Sequence, residues 1–104
     1  MKNIFWTGYC KTNRISAISE IQKIVTNFGY ITDFKQFSDI SLTIVIEVEE
    51  RKINSLYLAI KEFMHLNDFE LLNSDATIER VILMNTTFSD GTGDLRIETP
   101  AVPG

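Results

Sequence analysis

The sequence predicts an α+β sandwich, one sheet with two helices on a single face. Three observations predict it. The segment SLTIVIEVEE, Ser41 to Glu50, alternates apolar and polar residues with a period of two. The stretches Ile15 to Phe28 and Ile53 to Met64 repeat apolar residues every three to four positions. These units follow one another as strand, helix, strand, strand, helix, strand, without a linker or low-complexity segment.

Asn3 to Cys10, NIFWTGYC, reads as the first strand, with Ile4, Trp6 and Cys10 on one side. Gly8 inside it marks a bulge or a close approach of another element. KTNRIS breaks the run, and Thr12 or Asn13 is placed to cap the first helix. Ile15, Ile18, Ile21, Ile24, Val25 and Phe28 form that helix's apolar stripe, and Gly29 is expected to end it in a left-handed conformation. YITDFKQFSD is the second strand, with a turn at Ser38 and Asp39. In the third, Leu42, Ile44, Ile46 and Val48 point one way and Thr43, Val45, Glu47 and Glu49 the other. Glu49 and Glu50 suit the positive end of a following helix. Its stripe is Ile53, Leu56, Tyr57, Ile60, Phe63 and Met64.

HLNDFELLNSDAT is a link, with Phe69, Leu71 and Leu72 expected to tuck inward. Thr77 to Phe88 alternates again and is the last long strand of the sheet. SDGTGD signals a tight reversal, and LRIET a short strand closing a C-terminal β-hairpin extension. The economical arrangement is a ferredoxin-like βαββαβ sandwich with an antiparallel sheet, a single domain over residues 1–104.

Composition limits the function classes. The chain has 104 residues, 44% hydrophobic, and carries a net charge of -4 from 14 acids and 10 bases. Its bases are scattered, which argues against nucleic acid as a partner. The one cysteine, Cys10, has no internal partner for a disulfide. No signal peptide and no membrane-spanning run is read from the sequence, so a cytoplasmic protein is expected.

No catalytic constellation stands out. His65, the one histidine, sits at the end of the second helix and reads first as a solvated residue. Cys10 reads as a buried strand-end thiol, and SDGTGD, with Asp90, Thr92 and Asp94, as a turn rather than a calcium loop. Glu47, Glu49 and Glu50 read as solvated carboxylates. Phe5, Trp6, Tyr9, Phe34 and Phe37 suggest base stacking, but only Lys35 lies among the aromatics of the second strand. No cofactor and no metal is expected. The loop CKTNRIS is the better candidate, because helix N-termini hold anions, and Asn13, Arg14 and Ser16 would line such a ligand site.

TNRISAISEIQKIVTNFGYITDF resembles the first loop, first helix and second strand of the ACT domain, a small ligand-sensing module. Asn13, Ile18, Ile21, Ile24, Gly29 and Ile31 carry the likeness, and SLTIVIEVEE with KINSLYLAIKEF resembles the third strand and second helix. The resemblance implies amino-acid-like ligands and pairing of subunits edge to edge or face to face. The family often has a glycine just inside the first helix, where this chain has Ile15, Ser16 and Ala17. The hairpin after Phe88 also lies outside the family's pattern.

Two helices cover one side of a sheet that is apolar on both, and uncovered apolar area marks an interaction face. The expected function is a non-enzymatic module that associates with itself, a homodimer or higher oligomer, and binds a small amino-acid-like or anionic ligand at the subunit interface. The alternatives are a small enzyme using a pocket on the open sheet face and a purely structural assembly protein.

Overall fold

In the computed structural model, which describes residues 3–38 and 40–88, five strands form one sheet. They are β1 (Ile4–Cys10), β2 (Gly29–Ser38), β3 (Ser41–Glu49), β4 (His65–Leu66) and β5 (Glu79–Phe88). Helix α1 spans Arg14–Val25 and α2 spans Ile53–Phe63, the latter entered through a 3₁₀ turn at Glu50–Lys52. The order across the sheet is β2-β3-β5-β1-β4. Without β5 this is a ferredoxin-like βαββαβ sandwich, and β5 is an added strand wedged into its middle.

That wedge changes two expectations. The strand completing the βαββαβ frame is β4, two residues inside the stretch read as a link, where Gly8 pairs with Leu66 and Tyr9 with His65. The strand beginning near Thr77 is the fifth, and it runs parallel to β1, from Ile4 opposite Ile82 to Cys10 opposite Phe88. The sheet is therefore mixed rather than wholly antiparallel. The cause is the return path of residues 67–78 alongside the N-terminal half of α2. Asn54 exchanges two hydrogen bonds with the Leu72 backbone, at 2.6 and 2.8 Å. The backbone N–H groups of Glu50 and Arg51 donate to the carbonyls of Ile78 and Ala76, each at 2.9 Å. The chain is thus carried back to the edge where β1 begins before it turns into the sheet.

The alternating patterns set the core. Leu42, Ile44, Ile46 and Val48 of β3 and Ile82, Met84, Thr86 and Phe88 of β5 are all buried, as are Trp6 and Cys10 of β1. They meet Ala17, Ile21 and Val25 of α1 and Ile53, Leu56, Tyr57 and Ile60 of α2. Phe69 and Leu72 pack against this cluster, whereas Leu71, expected inside, is 49% exposed.

Helix α1 differs from its predicted stripe at both ends. Ile15, in the first turn, is 81% exposed, and Ala17 takes the buried place beside Ile21. The helix stops at Val25, with Thr26 as a right-handed C-cap whose N–H reaches the Gln22 carbonyl at 3.1 Å. Gly29 is thus not the helix cap but the first residue of β2. Its lack of a side chain serves the approach of β3, since a Cβ there would collide with the Glu47 carbonyl oxygen. The hairpin extension read after Phe88, its SDGTGD turn and Asp39 lie outside the described residues.

Candidate functional site: the open sheet face and its ends

Alternation that buries one side of each strand leaves the other side of the sheet without a covering helix among the described residues. Cross-strand partners share a face, so the register defines its rows. The central row is Phe5, Leu83 and Val45, with Asp33 of β2 at its edge. Phe5 is 68% exposed. On one side lie Val81, Glu47 and Tyr30, and beyond them Glu79 and Glu49. On the other lie Thr7, Asn85, Thr43 and Lys35. The face carries an apolar band across its centre, with acids toward one end of the strands.

At the acidic end, the Tyr30 hydroxyl lies 3.0 Å from Glu79 Oε1 and 3.2 Å from Glu47 Oε1. The hydrogen bond to Glu79, then that to Glu47, pushes the phenol up to about 12, because ionisation would place a third anion beside two carboxylates. Arg51 Nε meets Glu49 Oε1 at 2.8 Å. Glu50 turns toward the returning link, where Ser74 Oγ donates to Oε2 at 2.5 Å and Arg80 Nη1 meets Oε1 at 2.6 Å. The Ser74 hydrogen bond, then that from Arg80, holds the Glu50 carboxyl below its ordinary value of 4.5.

A depressed folded-state value stabilises the ionised form. The Glu50 contribution to stability is complete above pH 4.5 and is lost as pH falls through the depressed value. Glu50→Gln is therefore expected to flatten the acid limb of a stability-against-pH curve measured by urea denaturation. Little change in the slope of that limb would mean that the Ser74 and Arg80 contacts do not bias the charge state.

The loop residues singled out from the sequence sit at the opposite end, where β1 enters α1. Asn13 is the N-cap, its Oδ1 accepting from the Ser16 backbone N–H at 3.0 Å. Arg14 donates through Nη2 to Gln36 Oε1 of β2, while its Nε is buried without a hydrogen bond among the described residues. The three are adjacent, with Asn13 and Ser16 already bonded to each other.

His65 is exposed and lines a cavity with Glu62, and no hydrogen bond joins the two among the described residues. Cys10 is buried. Among the described side chains the aromatics do not form a common platform: Phe5 and Tyr9 lie on the open face, Trp6 is buried on the helix side, and Phe34 pairs with Ile44 on the helix side at the sheet edge, while the Phe37 side chain lies outside what the structure describes. Among the described residues no three His, Cys, Asp or Glu side chains gather as metal ligands, and no helix is long and apolar enough to cross a membrane.

No protein-family model matches the chain, and no curated protein or solved structure shows detectable similarity to it.

Proposed function

We propose that the protein is a non-enzymatic module that associates with itself through the open sheet face. The observation that carries this reading is the row Phe5, Leu83 and Val45, which nothing among the described residues covers, with Phe5 exposed at the position where a facing sheet would bury it. Apolar area of this kind is stabilised by burial at about 25 cal/mol per Å².

One charge pairing argues for a second copy as the partner, although Asp33 at the edge of the central row then meets its own copy. A two-fold axis lying across the strands along the central row stacks that row on itself. The same operation brings the Thr7–Lys35 row of one copy over the Val81–Tyr30 row of the other. Lys35 then faces Tyr30 and the Glu47 carboxylate bonded to it, twice by symmetry. Sheets packed face to face cross at about 30°, a rotation that long Lys and Glu side chains absorb. The ACT resemblance belongs to the same proposal, since it implies paired subunits and a small ligand. Arg14, whose Nε makes no hydrogen bond among the described residues, is the group an anionic ligand at Asn13, Arg14 and Ser16 would meet.

Light scattering across a concentration series tests the association. The wild type is expected at twice the 11.9 kDa chain mass. Phe5→Glu and Lys35→Glu are expected to shift it toward a single chain without loss of helix and strand content. A wild type that stays at one chain mass at high concentration overturns the proposal.

A further inference from the structure

We propose that the segment LRIET, residues 95–99, docks as an antiparallel strand on the outer edge of β2, with Arg96 paired to Asp33. The segment lies outside the described residues; the edge that would receive it does not. The docking is independent of self-association through the open face. Topology leaves one place for it. From Ile82 to Thr87, β5 is paired with β1 on one side and with β3 on the other, so no strand fits beside it. A chain that turns back after Phe88 must therefore take an edge of the sheet. One edge is β4, two residues long, and beyond it Asn67 already meets the Thr7 backbone. The other is β2, ten residues long and without an outer neighbour among the described strands. β2 and β5 both run antiparallel to β3, so a chain reversing after β5 arrives antiparallel to β2. An unpaired edge presents a row of unmet backbone groups to any strand that reaches it. On β2 the Phe34 N–H is met by a side chain instead, Asp33 Oδ1 at 2.8 Å.

The edge and the segment match residue by residue. Phe34 lies on the helix side, 38% exposed, and Ile31 comes back to that side across the register shift between Ile31 and Asp33. Asp33 and Lys35 lie on the open face. In LRIET, Leu95 and Ile97 alternate with Arg96 and Glu98, so a strand would turn the first two one way and the second two the other. Leu95 opposite Phe34 sets Arg96 opposite Asp33 and Ile97 toward Ile31. A slip of one residue would move the apolar pair to the open face. A slip of two, with Leu95 opposite Gln36, would set Arg96 against Lys35 and Glu98 against Asp33. Like charges directly opposite are destabilising, so the charges select the first register.

The chain is long enough to reach that register within one molecule. Phe34 opposes Ile44, and Ile44 opposes Met84, four residues back from Phe88. Three strand spacings across and four residues along place Leu95 about 20 Å from Phe88. The seven residue steps from Phe88 to Leu95 span up to about 23–25 Å. Docking there would cover the exposed side of Phe34 with Leu95 and close the longer open edge of the sheet.

Amide exchange read by NMR on the full chain tests the docking. It is measured in the wild type and in Phe5→Glu, which separates it from association through the open face. Leu95 and Ile97 are expected to exchange slowly in both, at any protein concentration. Arg96→Glu is expected to speed their exchange about fivefold, the worth of one cross-strand charge pair. Asp33→Arg is expected to do the same, and the double variant Asp33→Arg, Arg96→Glu to restore the slow rate. Exchange of residues 95–99 at the rate of an unstructured chain overturns the proposal. So does a single variant that exchanges as slowly as the wild type, or a double variant that does not recover. Protection that rises with protein concentration assigns the edge to another copy's segment and overturns docking within one chain.

Discussion

Trp6→Ala is expected to destabilise the protein by about 3–5 kcal/mol, seen as a drop in the urea midpoint. The indole is 1% exposed and stands at the meeting point of the sheet, α2 and the returning link. Its ring centroid is 5.3 Å from that of Tyr57 and 5.4 Å from that of Phe69, both in edge-on geometry. Tyr57 and Phe69 are themselves 5.2 Å apart, so the three rings close a triangle. The Tyr57 hydroxyl then donates to the Asn67 carbonyl at 2.7 Å, fixing the first residue of the link. Loss of the indole removes the common partner of the other two rings and leaves a cavity beneath the path that delivers β5. Natural domains hold only about 5–15 kcal/mol in reserve, so the variant sits near the edge of folding.

Two neighbouring substitutions separate this mechanism from a general loss of apolar area. Phe5→Ala removes an aromatic ring one residue away, but from the open face, where it is 68% exposed. Its cost to a single chain is expected to stay within about 0.5 kcal/mol. Trp6→Phe keeps a ring in the triangle and removes a buried indole N–H that has no hydrogen-bond partner among the described residues. Its loss is expected to remain below about 1.5 kcal/mol. It also stays measurable if Trp6→Ala does not fold. Faster amide exchange at Asn67 and Thr7 in Trp6→Phe would show that the triangle anchors the link, since the Asn67 N–H donates to the Thr7 carbonyl at 2.9 Å and the Thr7 N–H to Asn67 Oδ1 at 2.8 Å.

The fold was legible wherever a residue's surroundings are decided by its own segment. In β3 and β5 the alternation of Leu42 to Val48 and of Ile82 to Phe88 states which side meets the helices, and the buried residues agree. The same holds for Asn13, whose short polar side chain before an apolar helix has one obvious use. Periodicity names the face of a strand and not its neighbour. Nothing in ERVILMNTTF says that it lies between β1 and β3, and nothing in His65–Leu66 distinguishes a strand from the tail of a helix. Both facts are set by the path of residues 67–78, held by Asn54, Tyr57 and Glu50 from a distance in sequence. The stripe of α1 misled at Ile15 because counting large apolar residues passes over Ala17, the small residue that the close sheet accepts.

The candidate sites follow the same division. The greasy open face was readable from Val45 and Leu83, because alternation exposes whatever the helices do not cover. The cavity that His65 lines with Glu62 was not. It depends on the pairing of Tyr9 with His65, a long-range register without a local motif. The glycine before the paired tyrosine is the nearest signal: Gly8, opposite Leu66, admits Met64 and the His65 carbonyl to distances that a side chain would block.

Gly29→Ala is expected to cost about 3 kcal/mol, more than Gly8→Ala, and the comparison isolates what a glycine does in a strand. A Cβ on Gly29 would overlap the Glu47 carbonyl oxygen and lie 3.1 Å from both Cα and Cβ of Val48. Those obstacles belong to the backbone of β3 and to the branched carbon of a residue buried in the core. β3 is paired on both sides, with β2 through Gly29 opposite Val48 and with β5 through Arg80 opposite Val48. Moving it away from a new methyl group would therefore disturb two ladders at once. A Cβ on Gly8 instead meets first the terminal methyl of Met64, the far end of an unbranched side chain that can change rotamer. The His65 carbonyl and a Leu66 methyl stand farther off, at 3.0 and 3.1 Å, on a two-residue edge strand with room to shift outward. Gly8→Ala is thus expected to cost about 1 kcal/mol and to loosen β4 without unfolding the sheet, while Gly29→Ala lowers the urea midpoint of the whole transition. Equal losses at the two positions would mean that Met64 and β4 yield no more readily than the backbone of β3, since the reduced freedom of the unfolded chain, common to both substitutions, acts in the stabilising direction.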